Sequence, residues 1–92
     1  MTIATVDIAR SLGLTEDELM EQAVRRFLFE KRREILAERL EILARYQVES
    51  LTELESRIAS GQTTEHPAWE DLITVENLDA SLEDLDAHLR TL

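Results

Sequence analysis

The chain has 92 residues, a formal net charge of −10 and 43% hydrophobic residues. That length allows one domain, near the lower limit for burying an adequate core alone, and the apolar content excludes a wholly disordered chain. There is no cysteine, so disulfides and thiolate metal sites are excluded.

The localisation follows from what the sequence does not contain. No apolar run approaches the roughly 18 residues that a transmembrane helix needs. The start "MTIATVDIARSLGL" lacks the basic and apolar regions of a signal peptide. We therefore expect a cytoplasmic protein.

The chain begins with capped helices. The segment "TVDIARSLGL" is compatible with a short strand or a short helix, and the spacing of its apolar residues favours a helix at about 6–12, closed by Gly13. In "TEDE", Thr15 is the expected N-cap and Glu18 the third helical residue of a capping box. No Gly or Pro follows for many turns, so we predict one helix over about 15–47, much longer than average.

The long helix carries two apolar stripes, and one short neighbouring helix cannot cover both. The first stripe contains Met20, Val24, Phe27, Leu28, Ile35, Ile42 and Tyr46, with Lys31 interrupting it. The second contains Phe29, Leu36, Leu40 and Leu43. From this excess we predict a homodimer that uses the second stripe, with Leu36 and Leu43 at or near the contact.

A shorter helix is expected next, over about 51–60. Ser50 is its predicted N-cap, with Glu53 completing the capping box, and Gly61 fits the position after its last turn. We expect this helix to return against the long one as a helical hairpin.

The stretch "EHPAWEDL" then collects the only proline and the only tryptophan of the chain. Pro67 suits the first turn of a helix, where no backbone N–H is needed. We predict that Trp69 is mostly buried and locks a turn at 67–74 onto the hairpin. The alternative is that Trp69 is an exposed anchor for a partner, since tryptophan is enriched in interface hot spots.

The last segment predicts an amphipathic helix over about 75–90. Residues 65–92 carry eight acidic side chains against Arg90 alone, a net charge of −7. A leucine-rich stripe recurs at spacings of three and four, as in a seam against another helix. We therefore expect this segment to bind a basic partner. The predicted contact residues are Trp69, Leu72, Leu78, Leu82, Leu85, Leu89, Glu76, Asp79, Glu83, Asp84 and Asp86.

Catalytic and metal-binding signatures are not recognisable in the sequence. His66 and His88 are far apart along the chain, and the single-glycine turns do not form a phosphate-binding loop. Lys31, Arg32 and Arg33 are consecutive, but Glu30 and Glu34 flank them, which favours a solvated helix face over a phosphate-binding one. We expect no enzyme activity, no cofactor, and no nucleic-acid binding through this chain alone.

Two stretches carry a family resemblance. "LGLTEDELMEQAVRRFLFEKRRE", residues 12–34, resembles the capped helix that follows the DNA-binding strand in many small prokaryotic antitoxins. Together with "EHPAWEDLI", the chain looks like the short helical proteins encoded beside predicted toxins. The basic strand with which ribbon-helix-helix proteins read DNA has no counterpart, because "TIATVDI" contains no Arg or Lys. The resemblance therefore implies a partner-neutralising role.

Taken together, these patterns predict one all-α domain with two regions. Residues 1–62 form the hairpin and dimerisation region, and residues 63–92 form the Pro/Trp turn and the acidic partner-binding helix. The leading hypothesis is an antitoxin-like module that neutralises a basic partner of the toxin ribonuclease class, since RNA-binding surfaces are basic. The runner-up is a homo-oligomeric structural protein whose C-terminal seam packs on its own chain or its twin. A DNA-binding regulator that uses the basic residues at 25–33 is a third possibility.

Overall fold

The described part of the protein, residues 4–92 of a computed structural model, consists of helices joined by short turns. They are α1 (Thr5–Ser11), α2 (Glu16–Arg45), α3 (Leu51–Ala59) and α4 (Glu65–Arg90), with no strand among these residues. The predicted all-α class and long central helix are confirmed. The helix predicted at about 6–12 is confirmed as α1, which excludes the alternative of a strand there, and residues 1–3 lie outside the described residues.

The predicted N-caps are confirmed at α2 and α3. The Thr15 hydroxyl accepts a hydrogen bond from the Glu18 backbone N–H at 3.1 Å, and Ser50 does the same for the N–H of Glu53 at 3.1 Å. These bonds satisfy donors that have no partner inside the helix, which fixes where each helix begins. The Glu53 carboxylate accepts a further hydrogen bond from the N–H of Glu49, at 3.0 Å.

A residue with positive φ follows each of the helices α1, α2 and α3. Gly13 and Gly61 have φ of 73° and 76°, as predicted, because glycine adopts this conformation without steric cost. The end of α2 has no glycine, and Gln47 adopts a φ of 56° there. The following Val48 N–H donates to the carbonyl of Leu43 at 3.2 Å, so α2 closes with the same hydrogen-bond pattern as a glycine-terminated helix.

The C-terminal helix is longer than expected. We predicted a turn at 67–74 followed by a helix over 75–90, but α4 runs from Glu65 to Arg90 with a single non-helical residue, His66, in its first turn. Pro67 follows His66 at the start of the regular helix, where its missing N–H costs nothing. The turn prediction was wrong because "AWEDLITV" contains no residue that ends a helix.

The chain folds back so that α2 and α4 run antiparallel. Ion pairs join Arg32 to Asp86 and Arg39 to Asp79. The arginine that comes later in α2 therefore pairs with the aspartate that comes earlier in α4, as antiparallel helices require. The short helix α3 packs mainly against α4, whereas the sequence predicted a return against the long helix. α1 packs on the first half of α2, where Thr5 donates a hydrogen bond to Glu16 at 2.6 Å.

The hydrophobic core lies at the end of the molecule where α2, α3 and α4 meet. Its buried residues come from all three helices and the turn after α2: Ile42, Leu43, Val48, Leu54, Leu72 and Val75. The molecule is 60 Å long and 27 by 18 Å across, so much of α2 extends away from this core. None of the helices within residues 4–92 combines the length and apolarity needed to span a bilayer.

A core substitution tests this packing. Leu54, with 0% of its surface exposed, joins α3 to α4, so Leu54→Ala should lower the free energy of unfolding by about 2–5 kcal/mol. Leu40 on α2 is 70% exposed, and Leu40→Ala is the matched control, with an expected change below about 0.5 kcal/mol. Urea denaturation followed by circular dichroism measures both. Equal effects of the two substitutions would contradict the assignment of the core.

Candidate protein-interaction surface

Two arginine–aspartate pairs join α2 and α4. Arg39 Nε lies 2.6 Å from Asp79 Oδ1, and Arg32 Nε lies 2.8 Å from Asp86 Oδ1. The two arginines are seven residues apart on α2, and the two aspartates are seven residues apart on α4. Seven residues correspond to about two helical turns, so both pairs lie on the same edge of the contact between α2 and α4. These two partly exposed pairs fix the register of α4 along α2.

A third contact continues this edge toward the core. The Tyr46 hydroxyl, seven residues after Arg39, donates a hydrogen bond to the Asp71 carboxylate. Arg45 Nη1 also approaches Asp71, at 3.7 Å. We refer to the contacts of Arg32, Arg39 and Tyr46 with the aspartates of α4 as the ladder.

The ladder changes the role of two predicted partner-binding residues. We expected Asp79 and Asp86 to form part of the acidic outer surface of the C-terminal helix. Both instead point toward α2 and pair with its arginines. Glu76, Glu83 and Asp84 are the predicted acidic contacts that remain exposed.

The leucine-rich stripe of the C-terminal helix is largely covered within the chain. Leu72 and Val75 are buried in the core, and Leu78 packs against it. Leu82, Leu85 and Leu89 are half-buried beyond the core. The predicted seam therefore exists, but α2 and α3 of the same chain occupy most of it. Leu72 is too deeply buried to contact a partner directly.

A second stripe of α4 faces solvent. Trp69 is 49% exposed and Ile73 44% exposed, and Glu76, Ala80 and Glu83 continue the stripe as exposed residues. We refer to these five residues as the outward stripe. They follow one another at spacings of four, three, four and three, so they share one helix face. The sequence contained this spacing, but the more apolar leucine stripe concealed it.

The prediction that Trp69 is mostly buried was wrong. Because α4 is one continuous helix, Ala68, Leu72 and Val75 turn toward the core and are buried. Trp69 follows Ala68 by one residue, which rotates its side chain by about 100° away from that direction. The alternative interpretation, an exposed aromatic anchor, is consistent with this geometry.

The four residues predicted for dimerisation do not share one environment. Leu43 is buried in the core of the chain and is therefore not exposed for a contact between copies. Phe29, Leu36 and Leu40 remain at the surface of α2.

The consecutive basic residues on α2 all have carboxylate partners. Lys31 pairs with Glu34 at 3.3 Å, Arg33 with Glu30 at 2.6 Å, and Arg32 belongs to the ladder. The hydrogen bond from Arg33 lowers the pKa of the Glu30 carboxyl below its ordinary value. A run of basic residues neutralised in this way is a poor phosphate-binding surface.

A metal ion needs a cluster of ligands, and a small molecule needs a concave pocket. Among the described side chains, which are those of residues 4–64 and 66–92, no three of His, Asp or Glu are placed to hold a metal ion together. One concavity is lined by side chains of α2 alone, so it is an open helix surface. His66 Nδ1 lies 3.6 Å from Glu70 Oε1, and both side chains of this pair are exposed.

These features define an elongated all-α protein with exposed apolar side chains on α2 and α4. The family model that matches this chain covers residues 1–92, and the chain belongs to the uncharacterized protein MJ0235 family. No curated protein and no solved structure matches the chain significantly.

The contact between Tyr46 and Asp71 in the ladder predicts that the tyrosine hydroxyl ionises only at high pH. Burial, the hydrogen bond to Asp71 and the negative charge of Asp71 raise the pKa of Tyr46, the only tyrosine, to about 12. The pKa in the unfolded chain is about 10. The folded state therefore holds this proton more tightly, and the resulting stabilisation is complete below pH of about 10 and is lost as the pH rises through about 12.

Absorbance of the tyrosinate form measures this transition directly. We expect the midpoint to lie near 12 in the folded protein, and Tyr46→Phe should remove the corresponding loss of unfolding free energy between pH values of about 10 and 12. A midpoint near the unfolded value would contradict the contact between Tyr46 and Asp71.

Proposed function

We propose that this protein is a non-enzymatic interaction module that binds and neutralises a basic protein partner in the cytoplasm, in the manner of an antitoxin. The outward stripe of α4 is the contact surface in this proposal. The observation that carries the proposal is the half-exposed Trp69 and Ile73 pair, which lies on a helix face that is otherwise acidic or alanine. The only tryptophan of the chain lies outside the hydrophobic core.

The apolar part of the stripe supplies the anchor. Tryptophan carries more binding energy in interfaces than most residues because it buries a large rigid surface at little entropic cost. Ile73 lies one turn further along the same face. Ala80 allows the partner's backbone to approach α4 closely, because its side chain is a single methyl group.

The acidic part of the stripe selects the kind of partner. Glu76, Glu83 and the neighbouring Asp84 are exposed, and within residues 4–92 none of them has an ion-pair partner. Unpaired carboxylates in a chain of net charge −10 attract positive surfaces over long range and speed encounter. A ribonuclease surface that binds RNA phosphates has the complementary charge. The antitoxin resemblance of residues 12–34 is consistent with such a partner.

The second candidate function is a homo-oligomeric structural protein. The exposed Phe29, Leu36 and Leu40 on α2 favour it, because three large apolar side chains on one helix face are typical of a contact with another chain. This candidate does not explain the acidic character of the outward stripe.

A binding experiment with point variants tests the proposal. The probe is the product of the neighbouring gene, if it is basic, and surface plasmon resonance at two ionic strengths is the measurement. Trp69→Ala should chiefly raise the dissociation rate, because it removes buried apolar area. Glu76→Lys with Glu83→Lys should chiefly slow association and flatten its salt dependence, because long-range attraction is screened by salt.

Point variants are preferable to a truncation, because Leu72 and Val75 hold the core together and deleting α4 would unfold the chain. Glu55→Lys, an exposed reversal on α3, is the matched control and should leave both rates unchanged. Undiminished affinity of the Trp69 and glutamate variants would refute the outward stripe as the contact surface.

Trp69 also serves as an internal reporter of binding. In the free protein we expect fluorescence emission close to that of tryptophan in water, because half of the side chain is exposed. Saturating the protein with the partner should shift the emission to shorter wavelength as the ring becomes buried. Binding without any change in the emission would place the partner elsewhere on the chain.

A further inference from the structure

The chain exposes more surface than a compact protein of its size. Its accessible surface is 6908 Å², whereas a folded monomer of 10.6 kDa exposes about 5,500 Å². Its radius of gyration is 19.2 Å, against about 12 Å for a globular domain of this length. The excess surface is larger than the roughly 800 Å² that each partner contributes to a standard interface.

Much of this surface belongs to the first half of α2. The last ladder contact joins Arg32 to Asp86, and α4 ends only four residues after Asp86, at Arg90. Because the two helices are antiparallel, the end of α4 lies near residue 28 of α2, and the preceding turns of α2 extend beyond it. α1 packs on this half but leaves one face open.

The open face of this half carries an apolar stripe with opposite charges at its two ends. Met20, Val24 and Phe27 are exposed by 50%, 38% and 60%. Asp17 precedes Met20 by three residues and Lys31 follows Phe27 by four, so the five residues lie along one helix face. We refer to them as the distal stripe.

The distal stripe is complementary to itself in one orientation only. When two copies of α2 run antiparallel across a two-fold axis near Val24, each Lys31 reaches the Asp17 of the other copy, and Met20 meets Phe27. In a parallel arrangement, Asp17 would face Asp17 and Lys31 would face Lys31, and both contacts would be repulsive.

From these observations we propose that the distal stripe is the contact surface for a second copy of this chain, which binds antiparallel through its own distal stripe. The outward stripe of α4 takes no part in this contact, so the inference is independent of the proposed function.

The existing contacts of Lys31 do not prevent this pairing. Its ammonium group lies 3.3 Å from Glu34 in an exposed pair on the same helix and 5.7 Å from the centre of the Phe27 ring. Exposed pairs within a helix contribute little, so exchanging Glu34 for Asp17 of a second copy costs little. The cation also remains beside Phe27, where the ring face attracts it.

Charge reversals at the two ends of the stripe test the proposal. Asp17→Lys and Lys31→Glu, made separately, should each weaken dimerisation roughly tenfold or more, because both symmetric ion pairs become repulsive. The double variant Asp17→Lys with Lys31→Glu should again dimerise with nearly wild-type affinity, because the charges are only exchanged. An equimolar mixture of the two single variants should form a heterodimer. Sedimentation equilibrium over a micromolar concentration series measures all four samples.

Two controls separate this contact from other effects. Glu18→Lys changes the charge of the same first helical turn on a different face, so it should leave dimerisation unchanged while reproducing any effect on helix stability. Circular dichroism checks that every variant remains helical. Leu40→Asp alters the other exposed stripe of α2 and should also leave dimerisation unchanged.

Several results would overturn the inference. A wild-type protein that remains monomeric at high micromolar concentration excludes the dimer. Single reversals that dimerise like wild type, or a double variant that does not recover, exclude the antiparallel contact. Loss of dimerisation only in Leu40→Asp would assign the interface to the stripe of Phe29, Leu36 and Leu40 instead. None of these results would affect partner binding through α4.

Discussion

The antiparallel contact between α2 and α4 is the interaction on which the rest of the structure depends. Arg32 and Arg39 on α2 meet Asp86 and Asp79 on α4, with the same seven-residue spacing on both helices. The pairs are partly exposed, so each adds little stability, and their main effect is to favour one register. In that register the leucines of α4 turn toward α2 and α3, and Trp69 turns to solvent.

This arrangement divides the surface of a small chain into separate parts. The core occupies only the end where three helices meet, and the remainder of the molecule is a pair of helices or a single helix with α1 beside it. Helices with few neighbours leave apolar residues exposed, and such residues mark sites of interaction with other chains. The outward stripe of α4 and the distal stripe of α2 lie at different positions, so the two proposed contacts do not compete for the same surface.

Local signals in the sequence were sufficient to predict most of the fold. Thr15 and Ser50 marked helix starts, and Gly13 and Gly61 marked helix ends, because these residues satisfy or permit the backbone geometry of helix termini. The exposed surface of α4 was harder to predict, because the side chains that remain exposed depend on which helix packs against α4. The charges of Asp79 and Asp86 were visible in the sequence, but their pairing with Arg39 and Arg32 requires the register of α4 on α2. The prediction that Trp69 is buried was wrong because α4 is one uninterrupted helix. In such a helix the side chain of Trp69 points about 100° away from that of the buried Ala68.

The register of α4 on α2 can be measured directly with spin labels, since the chain has no cysteine of its own. Two doubly labelled proteins are compared by pulsed electron paramagnetic resonance, each diluted with unlabelled protein. One carries Glu34→Cys with Asp84→Cys, and the other carries Glu34→Cys with Glu70→Cys. The antiparallel contact places residue 84 level with residue 34, and residue 70 about 20 Å further along α4. The antiparallel register predicts a narrow distance distribution for both proteins, with the shorter distance for the pair at 34 and 84. The reverse order of the two distances, or a broad distribution for both, would contradict it.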